Sequence, residues 1–443
     1  MCSMKKDYYK KGDLKMGIYA GYGQADITPK VGGSSGFGKI ESIDGKLYVK
    51  IIYLYDDCTG EQAVLAMVDI GGITIGFDKD LRKTVSQTLD ISQERVYINT
   101  SHNHTAPKTY LFVHELFAKY GEAFVDEVWV KHVKDSFVSA AKQAKSTMVP
   151  VYKKLGRYDV QNIAANRSIK TKAGEYGTRF GFGGDDYIKN QTEGLIDPEV
   201  VVLQFIGMDE KPIVTIFNYT CHSTSIKWGK IISPDFSGYA CDLIEEKTDA
   251  PAFFLQGACG NVGTGKYADG SIDVAKKMGA ELASSVLNAL KTATVCSKNA
   301  LEVYTWEEDI VLSDHLPSLD EAYSELDRLA KSKVSISSLW KAAAMIEVLE
   351  NRKELVKSRL FLIKSGMWCV AGLPAESFVE SALAIKGASQ YKYTMVSAYY
   401  DCTLWYIPTW RAYDKGGFEV QGGWSYTSEG TSETLSRSVI QKL

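Results

Sequence analysis

Apolar residues recur along this chain with two different periods. Short runs that are apolar throughout or at alternate positions predict strands over residues 16–26, 47–55, 63–70, 95–100, 151–160, 200–206, 212–219, 252–256, 366–371 and 393–399. Helical spacing predicts helices over 77–89, 125–144, 239–247 and 377–385, and one starting near Asp273. In the second of these, Val125, Val128, Trp129, Val133, Phe137, Ala140 and Ala141 share a face, and His132 is a structural or surface residue. Ser318-Leu319-Asp320-Glu321 reads as a capping box opening a helical pair within 316–364, with the second helix over 337–357. That pair is expected to pack outside the sheet or to form an oligomer contact. The stretch 174–190, rich in glycine and acidic residues, reads as a long loop, a lid or rim, and the tail from Gly416 as polar and glycine-rich. Strands and helices alternate without an internal repeat or linker. The expectation is therefore a single large α/β domain over 1–443, with mixed β-sheets flanked by helices and 316–364 as a helical-pair insertion.

Composition narrows the partners. Net charge is −3 with both signs interspersed, which excludes a nucleic-acid groove or a polybasic membrane surface. The basic N-terminus, Lys5 to Lys11, has no apolar run behind it, and no stretch approaches the roughly 20 apolar residues of a membrane helix, so a cytoplasmic protein without an integral membrane segment is expected. Eight cysteines without Cys-x-x-Cys spacing read as free buried thiols and argue against zinc-thiolate chemistry.

Candidate chemistry sits where strands stop. Ser101-His102-Asn103-His104-Thr105-Ala106-Pro107 follows the strand over 95–100, and residues two apart in extended backbone point to one face, so both imidazoles can address one point. Asp69, at the end of the neighbouring strand, is a candidate to orient one of them. His222, Glu376 and Tyr406 also close strands or turns, and a catalytic zinc site needs about three His or carboxylate ligands and an open position. Two other patterns are decoys. Gly32-Gly33-Ser34-Ser35-Gly36 matches a nucleophile elbow but lacks the strand before and the helix after it. Gly260 to Lys266 nearly spells a phosphate loop but continues with Tyr267 and a late helix.

These motifs, in order, carry a resemblance. Gly-Tyr-Gly-Gln-Ala-Asp-Ile-Thr from Gly21, the His102/His104 segment, Asn166-Arg167-Ser168, Phe217-Asn218-Tyr219 through His222-Ser223-Thr224, Ser233-Pro234-Asp235 through Ala240, Gln256-Gly257 with Gly260-Asn261, Leu373-Pro374-Ala375-Glu376, and Tyr406-Ile407-Pro408-Thr409 with Phe418-Glu419 are collinear with the neutral/alkaline ceramidases. The chain resembles the catalytic domain of that family. The resemblance implies a zinc ion held by His102, His222, Glu376 and Tyr406, with His104, Arg167 and Tyr406 in catalysis. It also implies hydrolysis of an N-acyl amide by metal-activated water, in lipid metabolism, on a small-molecule acyl-amide substrate, with a homo-oligomer possible.

The departures bear on the substrate. Gly263 stands where the family carries a serine, Ala106-Pro107-Lys108-Thr109 replaces Gly-Pro-Gly-Gly, Phe418 replaces a tyrosine, and no counterpart of the family's C-terminal immunoglobulin-like domain is expected. The expected ligands are retained and the substrate-facing positions are not, so the substrate is expected to differ from ceramide. Two alternatives stay open: a zinc esterase or lactonase on the same site, and an inactive binding protein retaining the fold.

Overall fold

The computed structural model describes residues 17–121, 124–296, 300–332, 334–420 and 423–443. The basic N-terminal stretch, with Cys2, lies outside the described residues. A nine-stranded sheet contains β1 (Ile18–Asp26), β2 (Tyr48–Asp56), β3 (Gln62–Val68), β4 (Val96–Thr100), β5 (Val149–Asp159), β6 (Glu199–Gly207), β7 (Pro212–Tyr219), β8 (Ala252–Gln256) and β9 (Thr294–Cys296). Its order is β8-β7-β6-β5-β1-β2-β3-β4, with β9 joined to β5. A second sheet runs β10 (Glu302–Asp309), β11 (Lys357–Ser365), β12 (Trp368–Pro374) and β13 (Tyr393–Tyr400).

The strands are apolar on both faces because both faces are covered. Ile52, Leu54, Leu65, Leu203 and Phe253 of the large sheet pack on Phe361, Ile363, Val370 and Met395 of the small one. The opposite face of the large sheet buries Val49, Ile51, Val64 and Ile98 under α1 (Ile75–Leu89) and α2 (Glu127–Ser146). It buries Val202, Phe217 and Phe254 under α3 (Asp235–Thr248) and α4 (Ile272–Lys291). The outer face of the small sheet carries α7 (Val379–Ala388) and α8 (Thr431–Ile440), numbered after the pair α5 (Leu319–Lys331) and α6 (Ile336–Glu350). The result is helix, sheet, sheet, helix in four layers, the mixed α/β class expected.

Within these two sheets three strand pairs are parallel: β3 with β4, β7 with β8, and β12 with β13. Two buried asparagines fix the sheets to each other. Asn218 Nδ2 donates to the Leu255 carbonyl at 2.8 Å and the Val396 carbonyl at 3.1 Å, and Asn99 Nδ2 donates to Ser397 Oγ at 3.1 Å. The carboxyl ends of the parallel pairs are thereby gathered at one end of the sandwich, the place where α/β proteins bind ligands.

Several boundaries differ from expectation. The Ser318/Glu321 capping box forms, but α6 stops at Glu350 and residues from Lys357 onward are β11, whose apolar run reads equally well as helix or strand. The polar tail contains α8, which buries Thr431, Ser432, Ser436 and Ser438 beside Leu435 and Val439 and so lacks an apolar stripe. The 174–190 stretch holds a short strand, Tyr176–Thr178, and one helical turn, Asp186–Lys189. The elbow-like glycines form a loop in which Ser35 Oγ donates to the Gly229 carbonyl at 2.7 Å. All seven described cysteines are free thiols, six of them buried. No helix among the described residues is long and apolar enough to cross a membrane.

Candidate metal centre and active site

β4 delivers His102, but in left-handed backbone (φ 53°) rather than the extended form the i, i+2 argument assumed. The loop after β4 follows the one after β3 instead: Ser101 N donates to the Val68 carbonyl and Asn103 N to the Ile70 carbonyl, each at 3.1 Å. Within that arrangement His102 Nδ1 lies 2.5 Å from the Gly71 carbonyl oxygen and its Nε2 lies 3.0 Å from His104 Nε2. The two imidazoles therefore do converge. Asp69 does not orient them: its Oδ2 accepts from Tyr48 N at 2.9 Å, and the Gly71 carbonyl takes the role foreseen for it.

β7 ends at Tyr219 and leads to His222, whose Nδ1 donates to the Cys259 carbonyl at 2.7 Å. The loop supplying that carbonyl is the one that mimics a phosphate loop. Its Val262–Gly263 pairs with Ala165–Asn166, and Lys266 is held by Glu193 at 2.9 Å. A side chain on Gly260 would collide with the Glu376 carbonyl, so this glycine serves close packing at the site.

Glu376 completes the cluster. Its Oε2 lies 3.1 Å from His222 Nε2 and 3.4 Å from His102 Nε2, is buried, and has no hydrogen-bond partner among the described residues. Both imidazoles spend their Nδ1 protons on carbonyls, so their Nε2 lone pairs face a carboxylate lone pair with no hydrogen between them. Such an arrangement is costly unless a cation sits in it. The donor separations also fit one, since metal–ligand bonds of about 2.0–2.1 Å in a tetrahedron place donors about 3.3 Å apart. His102, His104 and His222 present ligand atoms within 4.8 Å of one another.

Arg167 enters from the strand fragment beside this loop. Its Nε donates to Glu419 Oε1 at 3.0 Å, its second terminal nitrogen bonds Glu419 and the Gly260 carbonyl, and Nη1 faces His222 Nε2 at 3.4 Å. The guanidinium lies 5.2 Å over the Tyr406 ring, which is itself stacked 6.5 Å from His222. Burial opposes the charge of Arg167, but Tyr406 and Glu419 outweigh it and raise its pKa. Burial, with Arg167 and His102 beside it, pushes His222 down to about 3. Burial, His102 and Lys108 hold His104 well below the usual imidazole range.

Residues 19–276, more than half of the chain, match the model of the N-terminal region of neutral/alkaline non-lysosomal ceramidases. The chain belongs to this ceramidase family. His102, His104, Arg167, His222 and Gly263 lie within the matched residues, and Glu376, Tyr406 and Glu419 beyond them. The crystal structure of neutral ceramidase from Pseudomonas aeruginosa superposes with a TM-score of 0.71 at 18% identity, covering 96% of this chain and 74% of that one. A structure described as ceramidase complexed with C2 gives 0.71 at 16% identity with the same coverage. No curated protein matches at the sequence level. Family and fold together point to an amide hydrolase, and the buried histidines form a group able to hold a metal ion.

In this ceramidase-family chain the mouth of the site is aromatic. Trp228 lies 5.8 Å from His104 and 5.2 Å from Phe182, and Phe180 packs at 5.6 Å on Phe418, which contacts Tyr406 and Trp424. The 174–190 segment thus contributes a rim through Phe180 and Phe182. The orienting carbonyls of Gly71 and Cys259 were not foreseen and have no sequence signal. Glu419 does have one, its place in the Phe418-Glu419 motif.

Proposed function

We propose that this protein is a zinc-dependent hydrolase of an N-acyl amide other than ceramide, with His102, His222, Glu376 and Tyr406 as the metal ligands. The observation that carries this reading is the unpartnered Glu376 Oε2 facing two imidazole lone pairs. Histidine nitrogen and carboxylate oxygen are donors suited to zinc. When bound, such an ion supplies Lewis-acid polarisation of an acyl carbonyl and lowers the pKa of water towards about 7.

The chain's own groups divide the remaining work. His102 and His222 have their Nδ1 atoms fixed on carbonyls, the usual support for a ligating imidazole. Among the described residues His104 has no such tether, and it borders the exposed Trp228 ring. It is uncharged at neutral pH, so its Nε2 accepts a proton from attacking water and returns it to the departing amine. Arg167, held by Glu419, presents Nη1 to the oxygen that gains charge at the acyl carbon, with Tyr406 beside it. Gly263, next to Arg167 and His222, leaves space where the family carries a serine, which supports a substrate unlike ceramide.

Metal analysis tests the reading first. Purified protein is expected to hold one zinc per chain, and His222→Ala to lose it. Matched amide and ester substrates then separate an amidase from an esterase. Absence of stoichiometric zinc, together with unchanged metal content in His222→Ala, sinks the proposal.

A further inference from the structure

Lys108 lies four residues beyond His104, at a position where this chain departs from the family pattern. Its side chain is only 6% exposed. Among the described residues it has no ion-pair partner, and burial alone accounts for the fall of its pKa to about 8. At neutral pH the ammonium is still mostly charged. Among the described residues its favourable contact is the Phe37 ring, 5.4 Å away. A cation–π contact contributes about 0.5–2 kcal/mol, whereas burying an ammonium costs several kcal/mol, so the ring does not offset the burial. A cation left in this state within a protein is a candidate functional group.

Its position links it to the reaction centre. A Cβ on Gly71 would stand 3.5 Å from Lys108 Nζ, and the Gly71 carbonyl is the group that holds His102. The Lys108 charge also acts on His104. The charges nearby do not neutralise it. Arg167 is matched by Glu419, and Glu376 faces His102 and His222. Lys108 has no counterion of its own among the described residues, and an anionic ligand can supply one.

We infer that Lys108 forms a cationic subsite beside the His102/His104 centre that binds a carboxylate on the substrate, so that the amide cleaved is a carboxylate-bearing N-acyl amide. This rests on the hydrolase reading above. A neutral headgroup leaves the lysine buried and unpaired, so discrimination against neutral analogues follows from the cost of the unmatched charge.

The test uses zinc-loaded protein and two matched pairs of compounds. N-Dodecanoylglycine against N-dodecanoylglycinamide places the carboxylate on the amine side, and N-succinylaniline against N-butanoylaniline places it on the acyl side. At least one pair is expected to show a tenfold or greater preference in kcat/KM for the carboxylate form. That ratio collapses towards one in Lys108→Met and Lys108→Gln and survives in Lys108→Arg. Wild-type ratios near one in both pairs, or a ratio unchanged in Lys108→Met, overturn the inference. The wild-type ratios decide the matter if neither variant folds. If no compound is hydrolysed, the hydrolase reading fails separately, and calorimetric binding of the same pairs to wild type decides the subsite by the same tenfold criterion.

Discussion

Replacing Glu376 by glutamine changes charge while keeping shape, and the site geometry gives the effect opposite signs with and without metal. Oε2 faces His222 Nε2 at 3.1 Å and His102 Nε2 at 3.4 Å, and no hydrogen lies between them. A glutamine amide exchanges the carboxylate oxygen that has no partner for an N–H donor facing those two nitrogens. Satisfying a buried acceptor is worth about 1–3 kcal/mol, so metal-free Glu376→Gln is expected to be about 2 kcal/mol more stable than metal-free wild type. With about 2 cal/mol/K of unfolding entropy per residue, a chain of this length moves its melting midpoint by about 1 °C per kcal/mol, which makes the gain about 2 °C. Zinc at a thousand times its dissociation constant stabilises the wild type by about 4 kcal/mol, or about 4 °C. The variant has lost the anionic ligand and is expected to keep less than half of that rise. Scanning calorimetry of both proteins in chelator and in excess zinc reads all four midpoints, and the stability order of the two proteins should reverse between conditions. A variant less stable than wild type in chelator, with an unchanged zinc-induced rise, would refute the idea that three lone pairs converge there to hold a cation.

Other perturbations read neighbouring parts of the structure. Arg167→Met strands Glu419 as a buried unpaired carboxylate and should cost about 3–5 kcal/mol in urea unfolding, with most of the loss recovered by adding Glu419→Gln. Gly263→Ser should be tolerated within about 0.5 kcal/mol of wild type by the same assay, because its Cβ would stand 3.5 Å from Arg167 Cδ and 3.7 Å from His222 Cβ, ordinary contact distances. Burial raises the Glu347 carboxyl to about 7. The native state therefore binds more protons than the unfolded chain between the ordinary carboxyl value and that one, and stability falls as pH rises through this window by up to about 3 kcal/mol. Glu347→Gln should remove that fall, measured as the change in urea midpoint from about pH 5 to about pH 8.

The sequence was informative where one face of each element settles its fate. Strands β2, β3, β6, β7 and β8 were legible because burial on both sides demands unbroken apolar runs. Edge strand β10 escaped notice because it alternates buried Val303 with exposed charged residues, and α8 because small hydroxyl side chains do its packing. At the site, side-chain donors were legible as residue types. Their support was not, because it comes from the backbone carbonyls of Gly71 and Cys259, which any residue can provide.

The way the ligand candidates are presented explains why spacing alone could not assemble them. His102 has φ 53°, Ala375 before Glu376 has φ 52°, and Trp405 before Tyr406 has φ 56°. Three of the four proposed ligands thus sit on, or directly after, a non-glycine residue in left-handed backbone, at a cost of about 1–3 kcal/mol each. Periodicity arguments assume regular backbone, so each of these positions breaks the pattern from which its direction would be read. Such strain persists only if the surroundings over-determine it, and here they do. Ala375 N donates to the Tyr400 carbonyl at 2.9 Å, Glu376 N to the Trp405 carbonyl at 2.8 Å, and Trp405 N to the Cys402 carbonyl at 3.0 Å, so the Glu376 and Tyr406 segments hold one another. Parallel pairing of Glu376 with Tyr406 completes that lock. The rigidity that holds Glu376 against the two imidazoles therefore comes from backbone pairing between segments 30 residues apart, and a substitution that loosens it, such as Ala375→Pro, would act on the centre without touching a ligand.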